Sequence, residues 1–368
     1  MVKVARPRFN ILFLLAVMTV LVLSGCGASS SEPVQDVPDE ENTTESEQQA
    51  EEEDATTAQG PEPLESEVEL KIGFPTQGAS MLPLWVAKDA GFFEKYGIDA
   101  ELVYIAGTPK VQEVLNGGGI EAGLVGVDPV GKAKVAGHES VIIASVADKV
   151  AMYVYGTEDV DEATLQDDLK GETIITAAEG SLSHYLAQEF VATIGLTNDD
   201  VEYLHMGGEG DRTAAFMNGE GKALVIAPPT SFKLDTLGYK KVFDFGELDV
   251  LLAGIGMTKD YYEENPDVAK AIIAALVEAN NEILTNKEDT IEILMNWTGI
   301  DDPELAEKTY EANLFAIPNK PLVSDASVEF FLDRSDSEEV RQMQVSDLVD
   351  DSIVQELDET GWIDSVMD

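Results

Sequence analysis

Arg212 closes the run Gly207-Gly208-Glu209-Gly210-Asp211-Arg212 in a chain with 71 acidic and only 23 basic residues. A guanidinium at the start of a helix, behind glycines, suits the bidentate clamping of an oxyanion. It suits equally a local pair with Glu209 or Asp211. Five other short loops have a similar make-up. Gln77 and Ser80 lie in the loop 75–80, and Thr108 sits between Gly107 and Pro109. Asp128 precedes Pro129, Ser181, Ser183 and His184 share the loop 179–184, and Thr230 follows Pro228-Pro229. Hydroxyls, amides and a few charges beside glycine are groups for holding a small polar solute without covalent chemistry. Each has a plainer use: Ser80, Thr108 and Ser181 suit helix caps, and Asp128 suits either a cationic ligand group or a turn.

Catalytic constellations are not legible. The glycine run 207–210 departs from the phosphate-cradling pattern GxxxxGK[ST]. The three histidines, His138, His184 and His205, have no metal-site spacing, and His184 in a first helical turn reads as a surface or cleft residue. No Ser-His-Asp set or acid pair can be read, so no catalytic residue, metal or cofactor is assigned. A net charge of −48 argues against nucleic acid and anionic lipid as partners, since both are bound by clustered Lys and Arg. Phe74, Trp85 and Tyr185 could wall a ring-bearing ligand, though aromatics at such spacing belong more often to a core.

The loops need elements to hold them. Strand patterns fall at 68–74, 98–105, 122–127, 141–147, 152–155, 173–177, 201–204, 223–227 and 251–257. Helical spacing alternates with them at 81–96, 109–115, 183–194 and 212–217. Such alternation predicts an α/β fold with mainly parallel sheets flanked by helices, and ligands beyond the strands' C-terminal ends. After 257 the pattern turns helical, with Asn265-Pro266 as cap and first residue of a helix over 268–284, then helices over 287–297, 303–315 and 345–358. One block recurs. Leu115-Asn116-Gly117 precedes an apolar strand and Asp128-Pro129; Met217-Asn218-Gly219 precedes another and Pro228-Pro229. Two such blocks in two similar series suggest two lobes of like architecture.

The N-terminus predicts the compartment. Lys3, Arg6 and Arg8 precede an apolar run over 11–23, which leads through Ser24-Gly25 to Cys26, the one cysteine of 368 residues. This arrangement resembles a bacterial lipobox and implies a signal peptide over 1–26, a lipid on Cys26 and a membrane-tethered extracytoplasmic protein. Residues 27–67 are acidic and poor in apolar side chains, a composition expected of a disordered stalk, so folded chain is expected from Val68.

Leu84-Trp85-Val86-Ala87-Lys88-Asp89-Ala90-Gly91-Phe92-Phe93-Glu94-Lys95-Tyr96-Gly97-Ile98 resembles a signature of the ABC-importer substrate-binding proteins of the nitrate, sulfonate, taurine and thiamine-pyrimidine-precursor group. The blocks 114–126 and 169–174 and the helices after Pro266 fit the same family. The resemblance implies a type II periplasmic-binding-protein fold with two α/β lobes and a helical C-terminus. Lobe I would span 68–149 and 249–368, lobe II 150–248, with hinge strands near 148–152 and 247–251. It further implies a monomer without cofactor that closes on a small ligand and delivers it to a membrane permease. The ligand would be a sulfonate, taurine or nitrate, or else a thiamine pyrimidine precursor or other heterocycle. Enzymes of the pyrimidine-precursor synthase type share the fold, but their cysteine-rich motif and reactive histidine find no counterpart here.

Overall fold

The structure, a computed structural model, describes residues 60–246 and 248–368. The expected signal, Cys26, and the stalk up to 59 lie outside the described residues, as does Glu247. Folded chain begins earlier than Val68. The Leu64 amide donates to the Tyr96 carbonyl at 3.2 Å, and the Leu64 side chain joins the neighbouring core. An apolar residue among acidic neighbours is enough to dock the end of that segment.

Ten strands form two five-stranded sheets. They are β1 (Val68–Phe74), β2 (Ile98–Tyr104), β3 (Ala122–Val125), β4 (Ser140–Lys149), β5 (Tyr153–Gly156), β6 (Thr173–Thr176), β7 (Glu202–His205), β8 (Ala223–Ile226), β9 (Lys240–Asp244) and β10 (Asp249–Thr258). The first sheet runs β2-β1-β3-β10-β4 and the second β7-β6-β8-β5-β9. In each, the first three strands are parallel and the fourth is antiparallel to both of its neighbours. The two sheets therefore share one strand order. In each, the antiparallel strand has crossed over from the other half: β5 follows β4, and β10 follows β9.

The repeated block marks equivalent turns, offset by one residue: Gly117 (φ −81°) and Asn218 (φ −82°) are the two helix C-caps. Helix Thr108–Asn116 leads through Gly118 (φ 68°) into β3, and helix Glu209–Met217 leads through Gly219 (φ 78°) into β8. In both turns the glycine amide closes back on a helix carbonyl at 3.0 Å: Gly118 to Leu115, Gly219 to Phe216. Left-handed backbone angles are open to glycine at no steric cost, which accounts for the shared residue type. The strands that follow are buried throughout, and both are apolar runs without alternation.

Each sheet has its own core. Helix Pro266–Thr285 lays Ile272, Ile273, Ala275, Leu276 and Ala279 on the first sheet, beside Trp85 and Phe93. Helix Leu182–Thr193 lays Leu186, Phe190 and Val191 on the second, with Val154, Ile174 and Val225. Fully burying a side chain of this size contributes about 1.5–3 kcal/mol. Between them, β10 pairs with β4 from Ala253 to Thr258 with register shifts at Ala253/Gly254 and Ile255/Gly256, and a further shift precedes the pairing of Asp249 with Lys149. Gly254 makes the tight pairing possible, since a Cβ there would overlap Ile142 and stand 3.0 Å from the Ala144 carbonyl.

Several local expectations needed correction. The helical stretch over 81–96 is two helices, Leu82–Asp89 and Phe92–Lys95, parted at Gly91 (φ 82°). Asp128-Pro129 is no turn: both lie in the first turn of helix Val127–Val135, where proline's missing N–H costs nothing. Pro228-Pro229 is the turn expected and leads into helix Thr230–Thr236. Asn265 precedes a helix as expected, but its side chain donates to the Tyr261 carbonyl rather than capping the helix. No helix among the described residues is long and apolar enough to cross a membrane.

Candidate functional site: a cavity between the two sheets

Loops from the C-terminal ends of strands in both sheets meet around a cavity of about 100 Å3. The first sheet contributes Pro75, Thr76, Gly78 and Ser80 after β1, and Tyr104, Gly107 and Thr108 at the end of β2. The second contributes Ala177, Ser181, Leu182 and Ser183 after β6, Gly207, Glu209 and Arg212 after β7, and Ala227 after β8. Ala151, Met152 and Leu252, from the two crossing segments, complete the wall. The halves approach to contact distance. A Cβ on Gly107 would lie 3.5 Å from the Ala178 Cβ, and one on Gly78 would lie 3.8 Å from the Pro228 carbonyl. The arrangement is thus closed around the cavity.

Helices Thr108–Asn116, Leu182–Thr193 and Glu209–Met217 all begin at this wall. None has a side-chain cap, and here the expectation that Ser and Thr would serve as caps fails. Gly107 and Gly208 hold two of the N-cap positions and have no side chain to offer, while Thr108 is already helical. Ser181 holds the third, but its hydroxyl lies 3.3 Å from that of Ser183, which in turn accepts from the Ala177 amide at 2.8 Å. Ser80 sits inside a single 3-10 turn after Gly78, also without a cap. First-turn amides left uncapped beside a cavity are donors available to an anion, and the helix dipoles favour negative charge there.

Among the described residues Arg212 supplies the one full positive charge in the wall. It is 6% exposed. Its Nη1 donates to the Met206 and Gly207 carbonyls at 3.3 and 3.1 Å, while Nε is buried without an acceptor among the described residues. The pairing with Glu209 or Asp211 that the sequence left open is absent: no carboxylate lies within 4.0 Å of the guanidinium among the described residues. Burial lowers the guanidinium pKa, with Glu209 and Tyr104 pulling the other way. A buried cation lacking a charge partner is costly in the absence of a counter-ion.

Five of the nine sequence-assigned residues, Ser80, Thr108, Ser181, Ser183 and Arg212, line the cavity. The other four do not. Gln77 points out of its loop and is exposed. Asp128 is buried away from the cavity, held by Lys132 Nζ at 3.0 Å and by the Ser335 hydroxyl at 2.5 Å. His184 stands behind the loop, where its Nδ1 accepts from the Gly180 amide at 3.1 Å, and burial lowers its pKa to about 4. Thr230 donates its hydroxyl to Glu209. The aromatic residues Phe74, Trp85 and Tyr185 are core, each at most 2% exposed. Sequence reasoning missed Thr76 and Tyr104 and saw Glu209 only as a partner for Arg212. The spacing Glu209–Arg212, three residues on one helix, puts both on one face and was the available signal. Among the described residues no group of three or more metal-ligating side chains is present.

This geometry has relatives. A protein of Escherichia coli (strain K12), named for binding aliphatic sulfonates, is 26% identical over 241 residues, 64% of this chain and 74% of its own. The alkanesulfonate-binding protein SsuA of Xanthomonas axonopodis pv. citri, solved bound to MOPS, superposes with a TM-score of 0.65 at 20% identity over 78% of this chain and 99% of its own. The nitrate-binding protein NrtA of Synechocystis PCC 6803 gives 0.64 at 17% over 82% and 90%. Both structures share the two-lobed fold. The sequence profile described as NMT1/THI5 like matches residues 79–290, more than half of the chain, and the protein therefore belongs to that family.

Proposed function

We propose that this protein is the extracytoplasmic solute-binding component of an ABC importer and captures a small organic or inorganic anion, of sulfonate or nitrate type, between its two lobes. The observation that carries the reading is Arg212: a buried guanidinium with an unsatisfied Nε, facing a small cavity beside three uncapped helix starts. An oxyanion satisfies all of these groups at once. The names of the relatives support the same solute class. A heterocycle is less well served, because Phe74, Trp85 and Tyr185 are all taken up by the core and, among the described residues, only Tyr104 offers an aromatic ring to the cavity.

In this reading the binding is non-covalent and no catalytic residue is assigned. Lobe I (68–149 and 249–368) and lobe II (150–248) move about the crossings near 148–152 and 247–251. Affinity comes from contacts that only the closed form makes. Asp148 stands at one crossing, where burial raises its carboxyl pKa. Cys26 carries the lipid that keeps a monomeric receptor beside its permease. A thermal-shift screen of nitrate, short alkanesulfonates, amino-sulfonates and pyrimidines tests the reading. An anion that raises the melting temperature and is recovered unchanged supports it. A response to pyrimidines alone, or chemical conversion of a ligand, rejects it.

A further inference from the structure

Glu209 and Arg212 share one face of helix Glu209–Met217 and both line the cavity, yet no ion pair joins them. The Thr230 hydroxyl, reaching in from the next helix, donates to Glu209 Oε1. Among the described residues Oε2 has no bonded donor and no Lys or Arg lies within ion-pair distance of the carboxylate. The cavity therefore presents a negative group and a positive group on one helix face with no direct ion pair between them, the carboxylate acting on the guanidinium only at longer range. A simple anion seated on Arg212 would meet the carboxylate in the same confined space and leave it unpaired. A ligand with a protonated amine a few bonds from its acid group would satisfy both ends.

We infer that Glu209, held in place by Thr230, is a specificity-determining residue that selects small dipolar solutes bearing an ammonium group over simple anions of the same size. The inference rests on the reading of the cavity as an anion site at Arg212. It assigns to Thr230 a positioning role in place of direct ligand contact.

The test is calorimetric titration of the full chain with matched pairs: 2-aminoethanesulfonate against ethanesulfonate, and 3-aminopropanoate against propanoate. The amine-bearing member of at least one pair is expected to bind at least about tenfold more tightly, a difference near 1.4 kcal/mol. Glu209→Gln should reduce that preference to about threefold or less, with the loss falling chiefly on the amine-bearing member. Thr230→Val, which frees the carboxylate, should give an intermediate preference. Equal binding of both members to the wild type overturns the inference and leaves the importer reading intact. Equal weakening of both members by Glu209→Gln also overturns it, since the carboxylate would then act only through Arg212. Binding of neither member of either pair, nor of nitrate, overturns the anion site itself and the selectivity with it.

Discussion

Ser181 and Ser183 turn their hydroxyls toward each other at 3.3 Å, at the very position where a serine would ordinarily cap its helix. With Ser183 also accepting from the Ala177 amide, the Leu182 and Ser183 amides have no acceptor among the described residues, while the His184 amide donates to the Ser181 carbonyl at 3.0 Å. On the proposed reading these amides are satisfied by the ligand, and the stability of this loop should then rise with ligand concentration.

Arg212→Met tests that dependence from the side of charge. It should abolish anion-induced stabilisation, while the melting temperature of the ligand-free protein stays unchanged or rises, because a buried cation without a partner has been replaced by an apolar chain. Arg212→Lys should bind at least about tenfold more weakly than the wild type, since the compact ammonium loses the guanidinium fork. Paired melts and titrations of the three proteins check both outcomes.

His184 predicts a pH dependence. Its neutral Nδ1 accepts from Gly180 in a setting shared with His205, Glu179, Lys132 and Asp336, and burial holds its pKa near 4, below the ordinary 6.5. A base with a depressed folded pKa stabilises the fold fully above its unfolded value and loses that contribution as pH falls toward the folded one. Between pH 6.5 and 4 this histidine should cost on the order of 3 kcal/mol. His184→Asn keeps an acceptor for Gly180 and does not titrate. Urea melts across that window should show a shallower decline for the variant than for the wild type.

Gly254→Ala tests the crossing strand. The added methyl meets Ile142 and the Ala144 carbonyl across the β4–β10 ladder, and overpacking at such a site costs about 1–3 kcal/mol. Gly118→Ala, in an open turn with positive φ, should cost less, because only backbone strain is added. Chemical denaturation ranks the two.

Much of this fold was legible because it rests on apolar periodicity. β1 appears with the bounds its residues predicted, and the recurrent Asn-Gly block marked equivalent turns in both halves. What escaped lacked that signal. β9 buries chiefly Val242, with Lys240 and Lys241 exposed, as suits an edge strand that does not alternate. Helix Val127–Val135 was hidden by a proline that reads as a turn but sits where a helix tolerates it. In the site, loop position picked out much of the cavity wall, since Ser80, Thr108, Ser181, Ser183 and Arg212 all line it. Loop position could not tell which neighbouring side chain turns inward. Gln77 faces out beside an inward Thr76, and Asp128 turns away to Lys132.

Arg334 also joins the two halves. Its guanidinium meets Glu189 on helix Leu182–Thr193 at 2.7 Å, on chain that follows helix Asp325–Leu332, itself packed against β10. Both groups are partly exposed, so Glu189→Gln should cost no more than about 1 kcal/mol of stability. If the pair favours closure, the same variant should weaken anion binding about two- to fivefold, a loss that titration at two salt concentrations separates from general screening.

The most direct test is a crystal structure grown with ethanesulfonate and, in parallel, with its 2-amino derivative. One sulfonate should lie in the cavity, its oxygens about 3 Å from the Arg212 guanidinium and from first-turn amides of the helices at Thr108 and Leu182. A sulfonate bound elsewhere, with Arg212 turned onto Glu209 and the cavity holding only solvent, would contradict the account.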